Sequence, residues 1–357
     1  MPHSFVRPSR SVFVAVFVAV FVAALAACGD SDSTAPVTPP VTAELTVNAA
    51  DAYSYVKLGT PASVVTVADP STSNAWDLGF FATNVVVNGG AVGPGGVSAY
   101  CVCQNSGVAD AALKDLTAAT ELADFEAVGE SAIPADASFS SDELAPAIGG
   151  WYSGTAGASA AAVPTRTWLL RRGTTAVTLG KFRVTQLADA GAANAGRVTF
   201  EYALQPAAGG DFAPAKTATV DVRNGPVYYD LSAGAETTAA GSWDLQFNGW
   251  TIRANGGVSG SGTMSALVDN STPFDQISAA YAGTAPANVF KRDAYAGVFV
   301  SQPWYKYNIT GTDNQIWPTY NVYLVKRGAE VYKVQLTGYY NATGTARQIG
   351  VRYARLK

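Results

Sequence analysis

Short runs of alternating apolar and polar residues recur from about residue 44 to the end of the chain. In Val198-Thr199-Phe200-Glu201-Tyr202, and again in Ile349-Gly350-Val351-Arg352-Tyr353, the large side chains fall at every second position. Successive side chains of a strand point to opposite faces, so each run predicts a strand with one core-facing row. Tyr53-Ser54-Tyr55-Val56-Lys57-Leu58 reads the same way. Thr167 to Arg172 before Gly173, and Val322 to Arg327 before Gly328, predict strands stopped by a glycine turn. Lys181 to Leu187 and Val331 to Leu336 then complete a hairpin in each case. No apolar period of 3.6 is sustained, and only the alanine-rich stretch 109–123 predicts a short helix. The pattern therefore predicts an all-β, antiparallel fold and leaves barrel and sandwich both open.

The same pattern occurs twice. Trp76-Asp77-Leu78-Gly79-Phe80 and Asn88-Gly89-Gly90 return as Trp243-Asp244-Leu245-Gln246-Phe247 and Asn255-Gly256-Gly257, each 167 residues later. A single offset across that span marks a duplicated unit. Phe125-Glu126 matches Phe274-Asp275 at an offset of 149, so the first copy carries 18 extra residues after its Asn-Gly-Gly turn. Trp151-Tyr152 then matches Trp304-Tyr305. The expected division is a first domain over 44–208 and a second over 209–357, with Pro206 to Asp211 as the linker. Within each copy Asn-Gly predicts the tip of a type I′ hairpin, because both central residues of that turn need positive φ. Trp76, Leu78 and Phe80 share a predicted core face, with Trp243 the equivalent of Trp76. Asp77 and Asp244 point the other way and suit structural hydrogen bonds.

The amino terminus changes the picture of where the protein works. Arg7 and Arg10 precede an unbroken apolar run, Val12 to Leu25, that closes on small residues. Residues 1–27 are thus expected to be a signal peptide, since a spanning helix needs roughly 20 apolar residues. Leu25-Ala26-Ala27-Cys28 matches a lipobox, which makes Cys28 the expected lipidated first residue of the mature chain. Residues 28–43 form a polar, proline-containing tether. Cleavage removes His3, the one histidine of the chain, and leaves 21 cationic against 27 acidic residues, a net charge of −6. A mildly acidic exported protein lacks the clustered Lys and Arg that nucleic acid requires. Triads, His-containing zinc sites and HExxH helices all need histidine, and the Asn-Gly-Gly turns lead into more strand rather than a phosphate-binding helix. The chain is not expected to be an enzyme.

The second copy resembles the HmuY family of haem-binding surface lipoproteins. The resemblance rests on Val227-Tyr228-Tyr229-Asp230-Leu231-Ser232, Trp243 to Phe247, Asn255 to Gly260, and Tyr323 to Gly328 followed by Gly338-Tyr339-Tyr340. The first copy fits the same outline through Trp76 to Phe80 and Asn88-Gly89-Gly90. It implies two tandem HmuY-like β domains, lipid-anchored at the outer membrane, that capture haem and pass it to an outer-membrane transporter. Family members that bind haem hold the iron with paired histidines or methionines. The mature chain has no histidine, and Met264 is its one methionine.

Other residues remain as candidate ligands. Haem iron also accepts thiolate and phenolate. Cys101 and Cys103 lie two apart in a predicted strand, as a disulfide, a ligand pair or free thiols. Straight strand geometry separates their Cα atoms by roughly 6.5–7 Å, so a disulfide requires a bend. Tyr305, Tyr307, Tyr339 and Tyr340 offer aromatic faces and hydroxyls suited to a porphyrin or a sugar ring, although strand tyrosines commonly serve packing alone. The competing expectation is an adhesive or structural β module that presents its loops to a glycan or a partner protein.

Overall fold

A computed structural model describes residues 41–357. The signal peptide, Cys28 and all of the tether before Val41 lie outside the described residues. The architecture is all-β and antiparallel, with a few short helices.

The strands assemble into two sandwiches, and each sandwich draws on both repeats. In one lobe a five-stranded sheet runs Ala43–Asn48, Ala346–Arg355, Glu330–Tyr340, Val322–Arg327, Val97–Cys101, every pair antiparallel. Its centre belongs to the second repeat and its two edges to the first. A four-stranded sheet, Ser63–Val65, Ser54–Lys57, Leu78–Phe81, Asn84–Val87, closes over it. Val56, Leu78, Phe80, Tyr323, Val334, Ile349 and Val351 fill the space between them. The other lobe repeats this with the roles exchanged. Arg197–Leu204, Thr178–Ala188 and Thr167–Arg172 of the first repeat are flanked by Lys216–Asp221 and Ser265–Asp269 of the second. Trp168, Phe182, Phe200, Tyr229, Phe247 and Ile252 make its core.

The boundary expected at 208/209 thus separates repeats in sequence, whereas the lobes divide elsewhere. One lobe is the continuous segment 146–293, and the other is built from 41–142 together with 297–357. Both chain crossings lie side by side, where Glu143–Ala145 pairs antiparallel with Ala294–Ala296. The physical reason is that a sheet edge pairs with whichever strand reaches it, and pattern alone does not name the partner.

Matched polar groups stitch one repeat to the other. Lys333 is buried among apolar residues, and its ammonium donates to the Phe125 and Val128 carbonyls at 2.8 and 2.9 Å. Its counterpart Lys181 donates to Phe274 and Ile277 at 2.6 and 2.8 Å. Each ammonium also sits 4.5 Å from the ring centroid of the phenylalanine whose carbonyl it holds. Burial lowers the pKa of both lysines, and the carbonyls compensate for lost hydration. Asp77 accepts from Leu58 N–H at 2.8 Å, Lys57 at 2.9 Å and Arg327 of the other repeat. Asp244 accepts from Leu231 N–H at 3.0 Å and from Arg172 at 2.9 Å. These aspartates are structural, as their strand position suggested.

Three local expectations are corrected. Asn88-Gly89 is not a hairpin tip: the reversal between Leu78–Phe81 and Asn84–Val87 falls at Ala82, with φ of 51°. Asn88 is instead buried, donating to the Ser73 and Trp76 carbonyls and accepting from Gly95 N–H, so that its side chain holds the loop leading to the other sheet. Trp76 is buried, but in a satellite cluster with Val86 and Val92 rather than in the main core. Trp243 is only half-buried, packed edge-on against Tyr228 at 5.3 Å. The short helix expected within 109–123 is present as Asp110–Leu113, and a second, Leu122–Ala127, starts at the end of that stretch.

Residues 146–293 alone are expected to show a cooperative thermal transition and a dispersed amide NMR spectrum, because both sheets and the core of that lobe lie within them. Residues 209–357 alone should show neither, and should recover structure when mixed with residues 44–208. A native-like, monomeric 209–357 in analytical ultracentrifugation and circular dichroism would refute the exchange of strands.

Candidate functional site

A concavity of about 540 Å³ lies against the crossing ribbon, within the size range of small-molecule sites of about 300–1,000 Å³. The Leu78–Phe81/Asn84–Val87 hairpin forms one wall through Phe81 and Val85. The short helix Val298–Ser301 forms another through Phe299 and Val300, and the Gly257-Val258 turn of the other lobe closes one side. Tyr53, Tyr295 and Tyr305 supply aromatic faces and hydroxyls. Asp142 and Asp293 also line the cleft, one at each crossing.

The Asn-Gly-Gly motifs explain how the crossings are seated. Ala91 N–H donates to the Asp142 carbonyl at 2.8 Å, and Val258 N–H donates to the Asp293 carbonyl at 3.0 Å. Gly90 and Gly257 have φ of 62° and 64°, and a Cβ on either would fall 2.1 or 2.0 Å from the same carbonyl oxygen. Only glycine permits that backbone and that approach. The aspartate side chains reach back as well. Asp142 accepts from Val87 N–H at 2.7 Å, while Asp293 accepts from Ala254 and Ala147 N–H at 3.1 and 2.8 Å.

Burial pushes the Asp142 carboxyl up to about 6, offset only in part by the Val87 N–H. Asp293 is raised for the same reason, with more donors opposing the rise. Burial pushes the Tyr53 hydroxyl up to about 12, with Tyr295 adding to the effect, and Tyr295 itself is raised. Both phenols are therefore protonated donors at neutral pH and poor sources of phenolate for iron.

The residues singled out in the sequence are dispersed. Only Tyr305 lines this cleft. Tyr339 packs near Trp304 and against Tyr340, with ring centroids 6.5 and 5.0 Å away. The Tyr340 hydroxyl accepts from Ile316 N–H, and Tyr307 is 57% exposed with its hydroxyl on Asn314. Met264 is buried in the core of the other lobe. Cys101 and Cys103 are joined by a disulfide with Cα atoms 5.0 Å apart, and the bend it requires appears at Cys103, where φ is 56°. The described residues include no histidine and one methionine, Met264. Among the described residues no group of three or more His, Cys, Asp or Glu is arranged to hold a metal ion. Sequence reasoning missed Tyr53, Tyr295, Asp142 and Asp293. The signal for the last two was present as Asp142-Glu143-Leu144-Ala145 and Asp293-Ala294-Tyr295-Ala296, at an offset of 151.

Fold and cleft together define an aromatic-lined recess on a duplicated, strand-exchanged β sandwich. A family model described as HmuY protein matches residues 49–163 and 223–353, more than half of the chain, and the chain belongs to the HmuY family. Among solved structures it is similar to a candidate lipoprotein from Bacteroides fragilis, at 17% identity over 44% of this chain and 88% of that one, TM-score 0.16. A candidate HmuY-like haem-binding protein from Bacteroides vulgatus is 14% identical over 44% of this chain and 90% of that one, TM-score 0.16. The apo HmuY analogue of Tannerella forsythia is 15% identical over 39% and 83%, TM-score 0.16. No curated protein matches the chain.

Asp142 provides a test of the crossing. A carboxyl raised in the folded state stabilises the fold fully below its unfolded pKa of 3.8, and that contribution is lost as pH rises through about 6. Asp142→Asn is therefore expected to be more stable than wild type at pH 8, by up to about 3 kcal/mol, with the difference vanishing near pH 4. Urea denaturation of both proteins at the two pH values measures it.

Proposed function

We propose that the chain is a lipid-anchored surface binding protein that captures a flat, largely apolar ligand, haem or another porphyrin, in the cleft beside the crossing ribbon. Family membership supports the ligand class, and the cleft lined by Tyr53, Phe81, Tyr295, Phe299 and Tyr305 is the observation that carries the site. Aromatic faces supply contact area to a macrocycle, and the phenol hydroxyls donate to its polar edge. Iron is not the handle in this reading, because the mature chain has no histidine and Met264 is buried in the far lobe. Lipidation at Cys28 would hold the protein at the outer membrane, from where the ligand passes to a transporter. Among the described residues no helix is long and apolar enough to cross a membrane.

Titration of the mature protein with haemin and with metal-free protoporphyrin IX separates porphyrin contact from iron ligation. Both are expected to bind saturably, with dissociation constants within about threefold of each other, and Tyr295→Ala should weaken both by about tenfold. Binding that requires iron, or no binding of either compound beyond a non-binding control protein under oxidising and reducing conditions, would overturn the proposal.

A further inference from the structure

The two crossings differ where their aspartates meet the cleft. Asp293 has both carboxylate oxygens occupied: Oδ1 accepts from Ala147 N–H at 2.8 Å and Oδ2 from Ala254 N–H at 3.1 Å. Asp142 accepts from Val87 N–H through Oδ2 at 2.7 Å, and no donor among the described residues reaches its Oδ1. The cause is local. At the offset of 151 that relates the two aspartates, Ala147 corresponds to Val298, but Val298 opens the short helix Val298–Ser301 and makes no such bond.

The unpaired oxygen belongs to the cleft. Asp142 is 2% exposed and lines it, as does Gly297, whose lack of a Cβ leaves room for Oδ1. Oδ1 is not among the polar atoms that are both sealed from solvent and unpartnered, so its open side is toward the cleft.

The charge around this oxygen is one-sided. Among the described residues that line the cleft none is Lys, Arg or His, whereas Tyr53, Phe81, Tyr295, Phe299 and Tyr305 line it with rings. The Arg253 guanidinium opposes the rise in the Asp293 carboxyl and in the Tyr295 hydroxyl, and no cation does so for Asp142. Tyr53 and Tyr295 stand close enough to Asp142 for its charge to add to the rise in both phenols, so rings and carboxylate share one end of the cleft. An aromatic face attracts a cation, and a carboxylate oxygen withdrawn from water accepts a charged donor more strongly than a neutral one. An anion brought to the same end is repelled.

We propose that the cleft selects its ligand by charge: a flat organic cation, with an ammonium or amidinium donor on Asp142 Oδ1 and its ring among those of Tyr53, Tyr295 and Phe299, binds in preference to the same ring carrying a carboxylate. This rests on the reading of the cleft as the ligand site. A porphyrin bound there turns its carboxylate edge away from Asp142 and toward the mouth, where Val300 is 59% exposed.

The probes are 2-naphthylmethylammonium, its neutral counterpart 2-naphthalenemethanol and 2-naphthoate, followed at neutral pH through the methyl NMR signals of Val85 and Val300 in the whole mature protein. The ammonium should shift both valines saturably, with the alcohol about tenfold weaker and the carboxylate weaker again. In Asp142→Asn the ammonium should fall to within about threefold of the alcohol, and a shift from the alcohol shows that the cleft of the variant is intact. Equal affinity of ammonium and alcohol in the wild type, or a preference that survives in Asp142→Asn, would overturn the charge selection and leave the cleft as the ligand site. Absence of any shift from the three probes would overturn it too, and if protoporphyrin IX also leaves both valines unmoved, the reading of the cleft falls with it.

Discussion

The two lobes depend on how two aspartates seat the crossing ribbon. Asp142 and Asp293 each present a backbone carbonyl to the turn of an Asn-Gly-Gly motif and a carboxylate to the N–H of the last residue of a strand. The contact is possible because Gly90 and Gly257 have no Cβ and adopt positive φ. From that point each chain half leaves one sandwich and enters the other. The cleft follows as a consequence, since the ribbon that carries the crossings is also one of its walls.

The exchange also explains why the stabilising polar groups come in pairs that span the repeats. Lys333 holds the carbonyls around Phe125, and Lys181 those around Phe274. Arg327 meets Asp77, and Arg172 meets Asp244. Within a self-contained repeat, each buried ammonium or carboxylate would lose partners that lie in the other copy. Breaking such a pair leaves an uncompensated buried charge, which costs more than the pair itself contributes. Each lobe is therefore held together by charges from one repeat and partners from the other.

Much of the local structure was legible in the sequence. Alternation placed Val198, Phe200 and Tyr202 on one core face and Ile349, Val351 and Tyr353 on another, because a side-chain period of two leaves little freedom once one face is buried. The repeat offsets located the equivalent strands and the family. The site was less legible. Tyr305 reaches the cleft, but Met264, Tyr307, Tyr339 and Tyr340 belong to other surroundings, since residue type and spacing carry no information about which cavity a side chain faces. Asn88 shows the same limit: Asn-Gly favours a hairpin in isolation, yet the side chain found three backbone partners in a buried loop and the reversal moved to Ala82.

The sequence by itself determined the all-β class and the duplication, because period-two alternation and a repeat offset are read directly along the chain. Only the tertiary structure decided which strand completes which sheet. Backbone hydrogen bonding across a sheet edge is indifferent to sequence distance, so a repeat can satisfy its edges with its own strands or with those of its twin. Here it uses its twin's, and the cleft beside the crossing ribbon exists because of that choice.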